Sequence, residues 1–198
     1  MSEPTTTSVA RRVYLPFAAI ALAAIALDQL TKQWAVSRLS NERAVHLVGS
    51  LELRLAFNKG MAFSQGTNRG PLIAAVGVGI VVFLAFYART VQSRVAVLLM
   101  GLVAGGALGN ISDRLFRSHG HGFLGGGVVD FIYLRWWPTF NVADSCVVVG
   151  GILLAIWIYR DGAPEQDSGT PGADAPTTSR SSSAGASSST PSGSDVAT

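Results

Sequence analysis

Four apolar runs constrain this chain more than any other feature. They lie at roughly Val13–Val36, Pro71–Ala88, Val95–Ile111 and Val142–Tyr159. A helix needs about 20 apolar residues to cross the hydrocarbon core of a bilayer, and each run is close to that length. Inside lipid every backbone polar group must be paired within the segment, so such runs become helices. The expected fold is therefore an all-α polytopic membrane protein with four transmembrane helices. Charge agrees with this reading. Charged residues make up 14% of the chain, against about 25% in soluble domains. Between Val13 and Arg160 the acids are Asp28, Glu42, Glu52, Asp113, Asp130 and Asp144. The net charge of +3 is spread thinly, with no basic run, so nucleic acid is not an expected partner. Cys146 is a single cysteine in an apolar run, which rules out an intrachain disulfide and reads as a buried structural thiol.

The ends differ in composition from the middle. Residues 1–12 are polar and close on Arg11-Arg12; residues 161–198 are rich in Ser, Gly, Ala, Pro and Thr. Neither holds enough apolar surface to fold, so both are expected to be disordered tails flanking a four-span domain over 13–160. The first span also has the basic flank and Ala24-Ile25-Ala26 triplet of a cleaved signal peptide. Its apolar pattern resumes through Trp34-Ala35-Val36 and three more spans follow, so retention is expected. Arg11, Arg12, Arg89, Arg94 and Arg160 suit a cytoplasmic placement of both termini and the short second link, while the longer connections also carry Arg38, Arg43, Arg54, Lys59, Arg114, Arg117 and Arg135, so charge bias alone does not decide the orientation.

The two longer connections carry strand patterns. Residues 44–57 read as a β-hairpin: Leu51, Leu53, Leu55 and Phe57 alternate, and Gly49-Ser50 suits a tight turn. Val128–Leu134 reads as a second extended run ahead of Trp136-Trp137-Pro138, where tryptophan suits the membrane interface. Small β-elements lying on the outer face of the bilayer are expected from both.

With four spans, the first and third end on the side where the fourth begins. Asp28 and Lys32, Asn58-Lys59-Gly60, Asn110, Asp113 and Arg114, Asp130, and Asn141 with Asp144 then all converge on one membrane face. An intramembrane acid is costly and marks a functional site by default. Asp28 and Lys32 stand at the favourable i, i+4 spacing of a helical ion pair. Gly101, Gly105 and Gly109 form a small-residue stripe for close helix packing that leads to Asp113. Asp113 and Asp144 each follow an asparagine by three residues, and two acids brought together suggest shared-proton chemistry. His119 and His121 lack acid or thiol partners in their glycine-rich stretch and are not read as a metal site. Lys59 and Arg69 suit anionic lipid headgroups. An ion- or proton-coupled transporter is the alternative; it predicts polar groups along a path through the bilayer, whereas these gather at one face.

The motifs, taken in order, resemble a known family. Asp28-Gln29-Leu30-Thr31-Lys32, Asn58-Lys59-Gly60-Met61-Ala62-Phe63-Ser64, Gly105–Arg114, Val128-Val129-Asp130-Phe131 and Phe140-Asn141-Val142-Ala143-Asp144-Ser145 are similar to the five boxes of bacterial lipoprotein signal peptidase, signal peptidase II. The resemblance covers roughly Val13 to Tyr159. It implies an intramembrane aspartic endopeptidase of the bacterial cytoplasmic membrane, with its active site near the outer face. Such an enzyme removes the signal peptide of a prolipoprotein just before the diacylglyceryl-modified cysteine. The resemblance implies a catalytic dyad of Asp113 and Asp144. Asp28, Lys32, Asn58, Gly60, Asn110, Arg114, Asp130 and Asn141 map onto its supporting positions. No cofactor or metal is expected. The partners expected are lipid-modified prolipoproteins and membrane lipids, with the enzyme a monomer.

Overall fold

The computed structural model describes residues 6–40, 44–59, 70–117 and 124–161. Four helices carry the chain: α1 (Thr6–Leu39), α2 (Gly70–Tyr87), α3 (Arg94–Phe116) and α4 (Val142–Asp161). Each is long and apolar enough to cross a membrane, α1 over Arg12–Leu39. Their outward faces expose Leu, Ile, Val and Phe side chains along much of their length. In water such a surface would be untenable; against lipid tails it costs nothing. Gly60, Arg69, His119, His121 and the C-terminal segment from 162 onward lie outside the described residues.

Two helix boundaries differ usefully from those expected. α1 begins at Thr6, so Pro16 falls inside the helix rather than in its first turn. α3 runs five residues past Ile111, because Leu115 and Phe116 extend its apolar pattern beyond the charged pair. Asp113 and Arg114 therefore belong to the helix itself, and Arg117 becomes its C-cap.

α3 is the central helix, packed against α1, α2 and α4. Its glycine stripe makes that possible. A Cβ on Gly105 would lie 2.6 Å from the Ala21 carbonyl oxygen of α1, and one on Gly106 would lie 2.5 Å from the Ala143 carbonyl oxygen of α4. The stripe thus holds two neighbouring backbones at once, which larger residues would forbid. At the other end of the bundle Phe17, Leu84, Val97 and Met100 form an apolar core.

The strands come together as one sheet, not as two separate elements. β1 (Val45–Val48), β2 (Leu51–Asn58), β3 (Val128–Leu134) and β4 (Trp137–Phe140) form an antiparallel sheet in that order. Gly49 takes a left-handed φ of +58° at the β1–β2 turn, a conformation glycine adopts without penalty. Sequence reading treated the two connections apart because periodicity is a local signal; the β2–β3 pairing links residues far apart in the chain. Its register sets Ala56 opposite Asp130 and Asn58 opposite Val128. Leu53, Leu55 and Phe131 pack onto Ala35 and Leu39 at the end of α1. That contact seats the sheet over the helix ends where the polar residues gather.

Candidate active site

Six polar side chains are buried among the described residues: Asp28, Lys32, Asp113, Arg114, Asp130 and Asn141. All six were singled out by sequence, and the structure brings them into one network with Asn110 and Asp144. Burying so many polar groups is tolerable because nearly all are hydrogen-bonded.

The network is built on Lys32. Its ammonium lies 2.8 Å from Asp28 Oδ2 and 3.0 Å from Asp113 Oδ2, and donates to Asn110 Oδ1 at 2.9 Å. An ammonium has three donors, and here all three are used. Asp28 sits eleven residues before α1 ends, deep along the helix. Its Oδ1 accepts the backbone N–H of Ala143 at 3.0 Å, in the first turn of α4. The carboxylate therefore meets an orphan donor at a helix N-terminus, where the dipole favours negative charge.

Asp113 is surrounded by donors. Oδ1 accepts from Arg117 Nε at 2.8 Å and Gln29 Nε2 at 3.2 Å; Oδ2 meets Lys32 and accepts from the Val129 backbone N–H at 3.1 Å. The residue is only 1% exposed. Gln29 and Arg117 were not picked out by sequence, although Arg117 lies at i+4 from Asp113, the spacing of a helical ion pair. The cations that pair with Asp113 are Arg117 and Lys32.

Asp144 has different surroundings. Its Oδ1 accepts from Asn110 Nδ2 at 2.8 Å and its Oδ2 from the Asn141 backbone N–H at 3.1 Å. Asn141 Oδ1 in turn accepts the Asp144 N–H at 2.9 Å. This reciprocal capping explains the Asn-x-x-Asp spacing at the head of α4. Asp144 is half-buried and lines a cavity of about 290 Å³ whose walls are Leu134, Trp136, Trp137, Phe140, Val148 and Val149. The cavity is otherwise apolar, with Asp144 and Ser145 as the acid and hydroxyl on its wall.

Asp130, on β3, completes the set. It is 2% exposed and receives Asn141 Nδ2 at 2.7 Å, with a further side-chain hydrogen bond from Asn58. Those donors are neutral amides. Burial, followed by the charge of nearby Asp144, pushes the Asp130 carboxyl up to about 7. Asn141 thus bonds Asp130 through its side chain and Asp144 through its backbone. The Arg114 guanidinium feels Asp130, Asp113 and Asp144, yet its Nη1 is buried with no hydrogen-bond partner among the described residues. A Cβ added to Gly70 would lie 2.9 Å from that atom, so glycine leaves it room.

The arrangement offers two acids in distinct states. Asp113 is ion-paired and enclosed. Asp130 is buried among amides beside Asp144, which faces an apolar cavity. Two carboxyls placed this way resist double ionisation and suit shared-proton chemistry.

Comparison with known proteins identifies the family. Residues 20–160 match the family model described as signal peptidase (SPase) II. A lipoprotein signal peptidase of Rhodococcus jostii is 46% identical over 138 residues, 69% of either chain. One from Mycobacterium tuberculosis strain H37Rv is 38% identical, covering 78% of this chain and 75% of the relative. One from Syntrophomonas wolfei is 40% identical over 73% of this chain and 93% of its own length. Two solved structures described as bacterial membrane enzymes share the fold. One is 23% identical with a TM-score of 0.62, covering 75% of this chain and 90% of its own; the other is 25% identical with a TM-score of 0.61, covering 72% and 92%. The chain belongs to the signal peptidase II family.

Proposed function

We propose that this peptidase removes signal peptides from prolipoproteins, cutting before the diacylglyceryl-modified cysteine, and that Asp130 and Asp144 are its reacting pair. The observation that carries the assignment is the contrast between Asp113 and Asp130. Asp113 meets four donors, two of them cations, and has no face left for water or substrate. Asp130 has neutral donors and a raised pKa beside Asp144. The dyad read from the motif order, Asp113 with Asp144, is therefore replaced in this proposal by Asp130 with Asp144. Box order alone could not choose between two acids separated by one connection.

The two acids take different roles. Asp144, ionised, takes a proton from a water molecule, and the water oxygen attacks the scissile carbonyl carbon. Asp130, protonated, donates to the carbonyl oxygen, giving a neutral tetrahedral intermediate. Collapse breaks the C–N bond as Asp144 returns its proton to the leaving nitrogen, and Asp130 recovers its own from the intermediate. Proton donation by a positioned acid of pKa near the working pH is efficient general acid catalysis. Arg114, with Nη1 unengaged among the described residues, is placed to receive a substrate carbonyl. The apolar cavity beside Asp144 takes an apolar side chain next to the cleavage point.

We infer, as membership of the family implies, that the termini face the cytoplasm and the sheet and acid cluster the outer face; Arg12, Arg89, Arg94 and Arg160 suit that placement. The enzyme acts as a monomer, and Asn58 borders the substrate path. The transporter alternative gains nothing from the structure, since α2 has an apolar centre and the buried polar groups cluster at one end of the bundle. The test is cleavage of a lipid-modified precursor by purified enzyme in detergent. Asp130→Asn and Asp144→Asn are each expected to abolish turnover. Wild-type turnover by either variant would end the assignment.

A further inference from the structure

The Lys32 network holds the two reacting acids by the backbone. Asp113 accepts the N–H of Val129, the residue immediately before Asp130. Asp28 accepts the N–H of Ala143, the residue immediately before Asp144. Lys32 bonds both carboxylates, at 3.0 Å and 2.8 Å, and its remaining proton goes to Asn110, which itself holds the Asp144 carboxylate at 2.8 Å. Asp28, Lys32 and Asp113 are each at most 1% exposed. None of the Lys32 donors is left for a substrate or a moving proton.

We propose that Asp28, Lys32 and Asp113 form a two-armed clamp that fixes the spacing between Asp130 and Asp144, acting as positioning residues without touching substrate. This rests on the Asp130–Asp144 assignment above. The Asp113 arm anchors the start of β3 to α3 and is braced by Arg117 and Gln29. The Asp28 arm anchors the first turn of α4 to α1. Lys32 joins the arms, so neither strand nor helix shifts without the other. A hydrogen bond to the preceding backbone N–H is a short lever: displacing it moves the next residue's Cα and carboxyl together. Gly109 lets the device exist, since any Cβ there would lie 2.7 Å from Asp28 Oδ2.

The test uses the full chain in detergent, with thermal melts and steady-state kinetics on a lipid-modified precursor across pH. Asp28→Asn and Asp113→Asn each leave an acceptor for the backbone N–H but remove the charge that pairs with Lys32. Misplacement of reacting groups by about 1 Å costs roughly 100-fold, so each variant is expected to lose about that in kcat with KM little changed. The two limbs of the pH profile of kcat are expected to move closer together, because acids held less firmly interact less. A role confined to stability would lower the melting temperature and leave the kcat of folded enzyme and both limbs unmoved; that result overturns the clamp. Single variants also leave a buried charge unbalanced, which is destabilising. The triple variant Asp28→Asn/Lys32→Met/Asp113→Asn removes all three charges together, and its thermal melt reports the folded fraction to which kcat is referred. It is expected to show the same kcat loss, and wild-type kcat from it overturns the proposal. Asp130→Asn, run alongside, separates the two ideas. Wild-type turnover by that variant ends the dyad assignment, whereas its inactivity beside unaffected clamp variants ends the clamp alone.

Discussion

Replacing Gly109 with alanine tests the packing that brings the site together. The new Cβ would lie 2.7 Å from Asp28 Oδ2, 3.2 Å from Asp28 Cγ and 3.4 Å from Ala143 Cβ. The first distance is shorter than any real Cβ contact tolerates, and the carboxylate cannot swing away cheaply. It is held by Lys32 at 2.8 Å and by the Ala143 N–H at 3.0 Å. Overpacking of this kind costs about 1–3 kcal/mol. Alanine also gains up to about 1 kcal/mol over glycine from helix propensity, which works against the loss. Gly79 and Gly151 isolate that gain, because a Cβ at either meets nothing within 4 Å. The predicted difference between Gly109→Ala and these controls is therefore the clash itself, about 1–3 kcal/mol, or roughly 3–10 °C in melting temperature. Differential scanning fluorimetry in one detergent suffices to measure it. Turnover should fall as well at Gly109, since relief of the clash pulls Asp28 off the α4 backbone. Gly109→Ala melting and turning over like Gly151→Ala would refute the packing argument.

Other expectations follow from the same geometry. Asn141→Ala removes the acceptor for the Asp144 N–H and the donor to Asp130; a lost cap costs about 1–2 kcal/mol, read as a lower melting temperature, and kcat should fall at least tenfold. The Asp130 carboxyl is pushed from 3.8 up to about 7, facing Asp144, Lys32 and Arg114 as charges and Asn58 and Asn141 as neutral donors. A raised carboxyl contributes stability that is whole below about pH 4 and is lost as pH rises through about 7, so thermal stability should decline over that window. Asp130→Asn should flatten the decline, and an unchanged slope would remove Asp130 as its source. Filling the cavity beside Asp144 with Val148→Phe should raise KM about tenfold with a smaller change in kcat, the pattern of impaired binding.

Much of this was legible in the residues. Span number and approximate length follow from hydropathy alone, since lipid permits so few alternatives. The convergence of polar residues followed from counting spans, and contacts such as Lys32 with Asp28 and Asn141 with Asp144 follow from helical spacing. Three things were hidden. The single sheet depends on β2 pairing with β3, and residues 57 and 129 give no local sign of it. Hydropathy alone ends α3 near Ile111, because Asp113 and Arg114 read as a terminus; buried ion pairing lets the helix continue through them. The choice between Asp113 and Asp130 as the partner of Asp144 is not legible, because both are acids near an arginine-rich connection. Only the donors around each distinguish them: two cations at Asp113, amides at Asp130.

The central claim is that Asp130, not Asp113, shares the reacting proton with Asp144. Single-turnover cleavage of a lipid-modified precursor by folded Asp130→Asn, Asp144→Asn and Asp113→Asn enzymes tests it most directly. The account predicts no cleavage by the first two at any pH and slow but measurable cleavage by the third. Cleavage by Asp130→Asn at a rate close to wild type, with Asp113→Asn inactive throughout, would contradict it.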